Sequence, residues 1–332
     1  MILVTGGTGL VGSHLLFQLA RRKVPVIAIK RNTADECLVK NVFYHQPQLY
    51  KYIQWKDADI LDISSLQTVL RGAHYVYHCA GKVSYVPGDA ARMNTINVRG
   101  TENIVRTCFE TGVKKLCYVS SVSAINRVNE NEIITEDTPW RISKENSNYA
   151  ISKYEAEKMV WMGIKNGLNA VIVNPTIIIG SGKWNNGSAA MFNQVWKGLK
   201  FYPAGTAGFV DVRDVCTAMI LLMESGIHSE RFIINSENLS YKQVFETIAV
   251  HLGKPKPILR ANYFLLETAW RVAALKKYLT GETPFITKET VISGRKKMQF
   301  SNEKIRQATQ INFTPVEQSI KNTCDEFLRQ HR

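Results

Sequence analysis

Residues 4–15 read VTGGTGLVGSHL, with Gly6, Gly9 and Gly12 at every third position between a β-branched run and a helical pattern carrying Leu15, Leu16 and Leu19. A tight turn, a close approach of backbone to a pyrophosphate and a helix packed hard on a strand each need a residue without a side chain. The helix N-terminus adds its attraction for negative charge. Leu10 and Val11 lie in the same first helical turn, so Gly6, Gly9, Leu10, Val11 and Gly12 form the candidate pyrophosphate cradle. A plain tight turn would not require three spaced glycines.

The same alternation continues along the chain. ILVTG, VPVIAIK, YIQWKDAD, HYVYHCA, KKLCYVSS and NAVIVNP read as strands separated by helix-length segments, which implies an α/β fold, a doubly wound parallel sheet covered by helices on both faces. Beyond Pro175 the pattern loosens into a Gly/Asn-rich stretch at 180–188, a helix over 189–199, a strand entering a helix in AGTAGFVDVRDVCTAMILLME, and a further strand, RFIINS, at 231–236. The expected division is a dinucleotide-binding domain of 1–175 plus about 208–235, and a smaller, mainly helical substrate domain of about 176–207 plus 236–332.

NAD-preferring folds of this kind carry a carboxylate at the end of the second strand, about 20 residues past the glycine loop. Here that place reads AIKRN, with Lys30 and Arg31. An arginine pairs with a ribose 2′-phosphate, so NADP(H) is favoured and NAD(H) stays open; the alternative is a pair of solvated strand-end charges. The net charge of +14 is dispersed, its densest run being GRKK at 294–297. That pattern points to a phosphorylated cofactor and surface charge rather than to nucleic acid.

Cysteines 37, 79, 108, 117, 216 and 324 form no C-x-x-C and no metal-like pairing with histidine. They read as reduced thiols, mostly buried, with no metal site. No apolar run reaches the length of a membrane span. Met1 leads straight into an apolar strand without a basic, apolar and cleavage-site leader, so a cytoplasmic location is expected.

The stretch SNYAISKYEAEK at 147–158 contains two overlapping tyrosine–lysine pairs, Tyr149 with Lys153 and Tyr154 with Lys158; Tyr52 with Lys56 is a third. Residues four apart share a helix face, whereas an offset of five turns Tyr154 about 140° from Tyr149, so the two tyrosines cannot serve one site. Tyr52 and Lys56 fall in a predicted strand that would hold them roughly 13 Å apart. Spacing alone does not choose between the first two pairs.

Together the glycine loop, DADILD at 57–62, HCAG at 78–81, NVRGTENI at 97–104, YVSS at 118–121, YAISKYEAE at 149–157 and NPTIIIG at 174–180 resemble the extended short-chain dehydrogenase/reductase superfamily, in its dihydroflavonol reductase-like and 3β-hydroxysteroid dehydrogenase-like branch. The likeness covers about two-thirds of the chain and fades in the C-terminal third. It implies that Asp59 and Ile60 border the adenine, that Ala80, Gly81 and Pro175 belong to the cofactor-binding set, and that Asn97 supports the active-site hydrogen bonds. For Asn97 a cap or turn is the competing reading.

The family pattern Tyr-x-x-Ser-Lys-x-x-Ala-Glu is met by Tyr149, Ser152, Lys153, Ala156 and Glu157, and not by the second pair. By this resemblance Tyr149 is the general acid/base, its phenol drawn towards neutrality by Lys153 and the oxidised nicotinamide. Lys153 also holds the nicotinamide ribose, and Ser121 donates a hydrogen bond to the substrate oxygen, with Ser120 and Ser123 as neighbouring alternatives.

Three functional readings follow: an NADP(H)-dependent reductase of a ketone or aldehyde, a nucleotide-sugar epimerase with tightly bound NAD(P), and a regulatory dinucleotide binder. Keeping Ser121, Tyr149 and Lys153 argues against the last. Related sugar dehydratases carry an Asp–Glu pair where this chain has SSVSAIN, and related epimerases present an arginine where it has Gly208. Arg213, between Asp211 and Asp214, reads instead as a local ion pair.

The segment 262–279 is amphipathic, and reads either as an interfacial helix or as one packed on the core or over the substrate cleft. Trp184, Phe192, Tyr202, Phe209 and Tyr263 are candidate substrate-lining residues. The partner is a small-molecule substrate, and a homodimer is the expectation the resemblance carries.

Overall fold

The computed structural model describes residues 1–125, 132–262, 267, 268, 270–272 and 286–331. In chain order run β1 (Ile2–Thr5), α1 (Leu10–Arg21), β2 (Val26–Lys30), β3 (Ile53–Asp57), α2 (Ile63–Leu70), β4 (Tyr75–His78), α3 (Gly100–Glu110), β5 (Lys115–Val119) and α4 (Asn148–Lys165). There follow β6 (Ala170–Pro175), β7 (Ile177–Ile179), β8 (Thr206–Asp211), α5 (Val212–Glu224), β9 (Glu230–Ile234), β10 (Glu237–Ser240), α6 (Tyr241–Leu252), α7 (Lys288–Arg295) and α8 (Val316–Gln330), with shorter pieces between.

Seven strands pair in parallel in the order β9-β6-β5-β4-β1-β2-β3. Both faces are covered, which explains why their sequences are apolar runs rather than alternating ones. Alternation instead sorts residues between two cores. Val4, Ala28, Tyr77, Cys117, Val171 and Val173 face α1 and α5 with Leu15, Leu16, Met219 and Leu222. Their neighbours Leu3, Ile27, Val76, Leu116, Ala170 and Ile172 face α2, α3 and α4 with Leu66, Ile104, Ala156 and Val160.

A second sheet, β10-β8-β7, joins β8 to β7 in parallel and to β10 in antiparallel register. Beside it lies a third core of Phe192, Val195, Phe209, Phe245, Ile248, Ile320 and Phe327, packed between α6 and α8. The six strands expected up to Pro175 are present. The helix expected over 189–199 is shorter, Ala190–Trp196, and is followed by Gly198 in the left-handed region at φ +86°. Tyr52 does not share a strand with Lys56, because Pro47–Tyr52 forms a 3₁₀ helix with proline in its first turn before β3 begins.

Cys108, Cys117, Cys216 and Cys324 are buried, Cys79 is half-buried and Cys37 exposed, all as free thiols. Among the described residues no helix is long and apolar enough to cross a membrane. Most of the segment 262–279, including Tyr263, lies outside the described residues.

Candidate active site

Strand order places β1 beside β4 while the chain leaves them towards opposite ends of the sheet, which opens a crevice at their C-terminal edge. The glycine turn fills one side of it. Gly6 stands at φ +67°, and a Cβ there would lie 2.5 Å from the Ala80 amide nitrogen. At Gly12 a Cβ would collide with the Gly6 carbonyl. The Gly6 carbonyl also accepts from the Gly9 amide at 2.9 Å, and Gly9 caps α1 with no side-chain hydrogen bond. The loop after β4 is tied alongside by the Ala80 amide, which donates to the Thr5 hydroxyl at 3.2 Å. A cradle that any side chain would block, at an uncapped helix N-terminus, fits a dinucleotide pyrophosphate.

Lys30 and Arg31 differ in their surroundings. Lys30 is paired with Glu36 at 2.6 Å, and that bond holds its amine above the usual range. Arg31 is exposed and enters no ion pair among the described residues. Across the crevice the Ile60 carbonyl accepts from Asn103 Nδ2 at 2.9 Å, and its side chain closes against Gly100, where a Cβ would lie 2.5 Å away. The Asp59 carboxylate accepts the Leu61 amide at 2.9 Å. Pro175 is buried at the end of β6, opposite Ile234.

Helix α4 is capped by Ser147, whose hydroxyl accepts from the Ala150 amide at 3.1 Å. Its buried face presents Tyr149, Ser152, Lys153, Ala156 and Glu157. Tyr154 is turned away and stacks on Trp140 with ring centroids 4.3 Å apart, while Lys158 pairs with Glu155 at 2.9 Å. The second tyrosine–lysine pair is therefore surface packing.

Lys153 is 5% exposed and its ammonium donates to the Val119 carbonyl at 2.8 Å and the Tyr118 hydroxyl at 3.1 Å. Burial lowers it to about 8, against the pull of Glu157 and Cys79. Tyr149 is 9% exposed; burial raises its phenol, and a hydrogen bond with Ser121 opposes the rise.

The neighbouring serines separate by their partners. The Ser120 hydroxyl donates to Glu157 Oε2 at 2.6 Å, whereas that of Ser121 is half-buried beside Tyr149 and accepts from the Ser123 amide at 3.1 Å. Glu157 also accepts from Asn174 Nδ2 at 2.8 Å and from Arg231 at 3.1 Å. Asn174 Nδ2 lies 3.0 Å from the Ser121 carbonyl as well, so a buried carboxylate braces the backbone that carries Ser121.

Asn97, 1% exposed in a π-helical turn at Thr95–Arg99, accepts from the Lys82 amide at 2.7 Å and donates to the Ser152 hydroxyl at 3.0 Å. A Cβ on Gly81 would sit 3.3 Å from its Oδ1 and 3.9 Å from Lys153 Nζ. Asn97 therefore links the loop after β4 to α4 instead of capping a helix.

The Tyr85 ring meets Tyr149 edge-on, with ring centroids 5.8 Å apart. Burial raises the Tyr85 phenol, and the charges of Tyr149, Tyr241 and Glu289 reach it. Tyr241 is pushed up to about 12 by burial. Glu289, in the first turn of α7, accepts from Asn148 Nδ2 at 2.9 Å and the Asn148 amide at 3.3 Å.

Sequence reading missed Tyr85, Tyr241 and Glu289, which lie in no periodic pattern. Of the aromatics it offered as lining, Phe192 and Phe209 are fully buried in the third core, and Trp184 packs on Phe327 at 4.9 Å. Tyr202 packs against the same core. Gly208 leaves no room for a larger residue: a Cβ would overlap Asn235, Thr176 and the Phe300 ring. Arg213 is locked to Asp211 at 2.5 Å. Among the described residues no three His, Cys, Asp or Glu side chains gather as a metal site would require.

A doubly wound sheet, a glycine turn at its switch point and a serine–tyrosine–lysine cluster beside it define an NAD(P)-dependent oxidoreductase of the extended short-chain dehydrogenase/reductase type. More particularly, the model of the NAD dependent epimerase/dehydratase family matches residues 2–235, and the chain belongs to that family. It is 26% identical to a cinnamoyl-CoA reductase of Medicago truncatula over 98% of this chain and 95% of that one. With tetraketide alpha-pyrone reductase 2 of Arabidopsis thaliana it shares 30% over 74% of this chain and 80% of that one. The solved structure of UDP-glucose 4-epimerase from Thermotoga maritima superposes with a TM-score of 0.77 at 20% identity, covering 100% and 99% of the two chains, a likeness of fold.

Proposed function

We propose that this chain reduces a ketone or an aldehyde with NADP(H), Tyr149 serving as the general acid. The observation that supports the reading is the hydrogen bond between Ser121 and Tyr149, with Lys153 buried one turn further along the same face of α4. The Medicago and Arabidopsis relatives, both named as reductases, support it. So does the crowding at Gly208, which leaves no place for the arginine of related epimerases.

Residues 1–175 with about 208–235 hold the cofactor in this reading, and about 176–207 with 236–332 the substrate. The turn of Gly6, Gly9, Leu10, Val11 and Gly12 receives the pyrophosphate, the exposed Arg31 a 2′-phosphate, and Asp59, Ile60, Ala80, Gly81 and Pro175 border the rest. Bound NADPH supplies the hydride. The Ser121 hydroxyl donates to the substrate carbonyl oxygen, where negative charge develops. The Tyr149 phenol gives that oxygen its proton, and the Lys153 ammonium stabilises the phenolate left behind. Asn97, bonded to Ser152 within the same turn of α4, holds that turn in place.

The test is oxidation of NADPH against a panel of ketones, aldehydes and nucleotide sugars. Tyr149→Phe is expected to lower turnover by roughly 10²–10⁴-fold; full turnover in that variant would overturn the role of Tyr149. Binding of NADH tenfold tighter than NADPH would remove Arg31 from the site. Conversion of a UDP-sugar with no net use of cofactor would establish an epimerase instead.

A further inference from the structure

We propose that Glu289 recognises a hydrogen-bond donor, a hydroxyl or an amine, carried by the substrate beyond its reacting carbonyl. The inference rests on the reductase reading and adds to it a chemical class of substrate. Glu289 Oε1 is fully engaged, accepting from both nitrogens of Asn148, the residue before Tyr149. Its Oε2 is buried and has no hydrogen-bond partner among the described residues. A buried carboxylate oxygen without a donor costs the protein free energy, and such an atom calls for an explanation.

Helix capping does not supply one. Thr287 is the cap of α7, its hydroxyl accepting from the Thr290 amide at 3.2 Å, with a reciprocal bond from the Thr287 amide to the Thr290 hydroxyl at 2.8 Å. Among the described residues, the Glu289 carboxylate meets α4 through Oε1. Asn148 precedes Tyr149, and Tyr85, whose ring meets Tyr149, lies near enough for its phenol to feel the Glu289 charge. Burial raises the Glu289 carboxyl, and the Asn148 donors oppose that rise. A substrate whose carbonyl reaches Ser121 and Tyr149 therefore extends towards a buried acceptor that no described protein donor satisfies.

The decisive variant is Glu289→Gln. Asn148 offers two donors, so the amide oxygen must face Asn148 and the amide NH₂ must take the place of Oε2. The docking contact survives while the free position changes from acceptor to donor. Benzaldehydes and phenyl ketones bearing a hydroxyl at ortho, meta or para positions, each paired with its methyl ether, would be titrated by calorimetry at pH 8 and assayed for NADPH oxidation.

The wild type is expected to bind the hydroxyl member of at least one pair roughly tenfold or more tightly, the worth of one hydrogen bond to a charged acceptor. In Glu289→Gln that preference should vanish or invert. An equal preference in both proteins, or none in the wild type, overturns the inference. A preference that Glu289→Gln abolishes, without NADPH oxidation, keeps the role of Glu289 and removes the reductase reading. Reduction with a preference that Glu289→Gln leaves unchanged does the reverse.

Discussion

Lys153 keeps an ammonium in a place almost without water because two oxygens, the Val119 carbonyl and the Tyr118 hydroxyl, replace part of its hydration. Replacement is incomplete, and its proton is lost from about 8 upward. Since kcat/KM reports groups of the free enzyme, reduction should be nearly independent of pH below neutrality and decline as pH rises through about 8. A pH–rate profile flat to pH 10 would exclude Lys153 from the step. At this scale the sequence was legible where a fixed pattern existed: Ser152, Ala156 and Glu157 single out Tyr149 over Tyr154. It was silent on Tyr85 and Glu289, because neither belongs to a motif and only long-range folding brings them near Tyr149.

Among the elements, the β1–α1 turn shows why glycine spacing is informative: each missing Cβ corresponds to a specific backbone approach. Gly12→Ala would force the Gly6 carbonyl aside and spoil the turn that receives a pyrophosphate. Fluorescence titration with NADPH is expected to show affinity reduced about tenfold or more, with a lower Tm from a strained core contact. Unchanged affinity would mean the turn relaxes without cost. The parallel strands were readable because burial on both faces demands long β-branched runs. The 3₁₀ helix at Pro47–Tyr52 and the pairing of β8 with β7 and β10 were not, since one is too short for a period and the other depends on partners distant in sequence.

Over the molecule as a whole, His78 ties stability to acidity. It is fully buried at the end of β4 between the Thr5 and Thr101 hydroxyls, and burial, with the nearby Lys153 charge, lowers it to about 3. A histidine lowered in the fold binds its proton sooner in the unfolded chain, so its contribution is complete above the ordinary pKa of about 6.5 and is lost as pH falls towards 3. Urea unfolding at pH 5 should show about 2 kcal/mol less stability from this group than at neutrality. Equal stability at both pH values would contradict the assignment.

The position of β9 also has a consequence for how the chain is made. Strand β6 is complete at Pro175, yet the neighbour that covers its outer edge ends only at Ile234, after the chain has left to form β7 and β8. At roughly 5–20 residues per second of synthesis, that edge stays bare for seconds. Its six residues are all buried in the finished fold, and an unpaired apolar edge is a template for other chains. A chain terminated after residue 229 is expected to sediment as aggregate, whereas the 332-residue chain stays dispersed; equal solubility would show that the edge is shielded by other means. Premature termination within this interval would then be harmful less through lost catalysis than through a sticky nascent product.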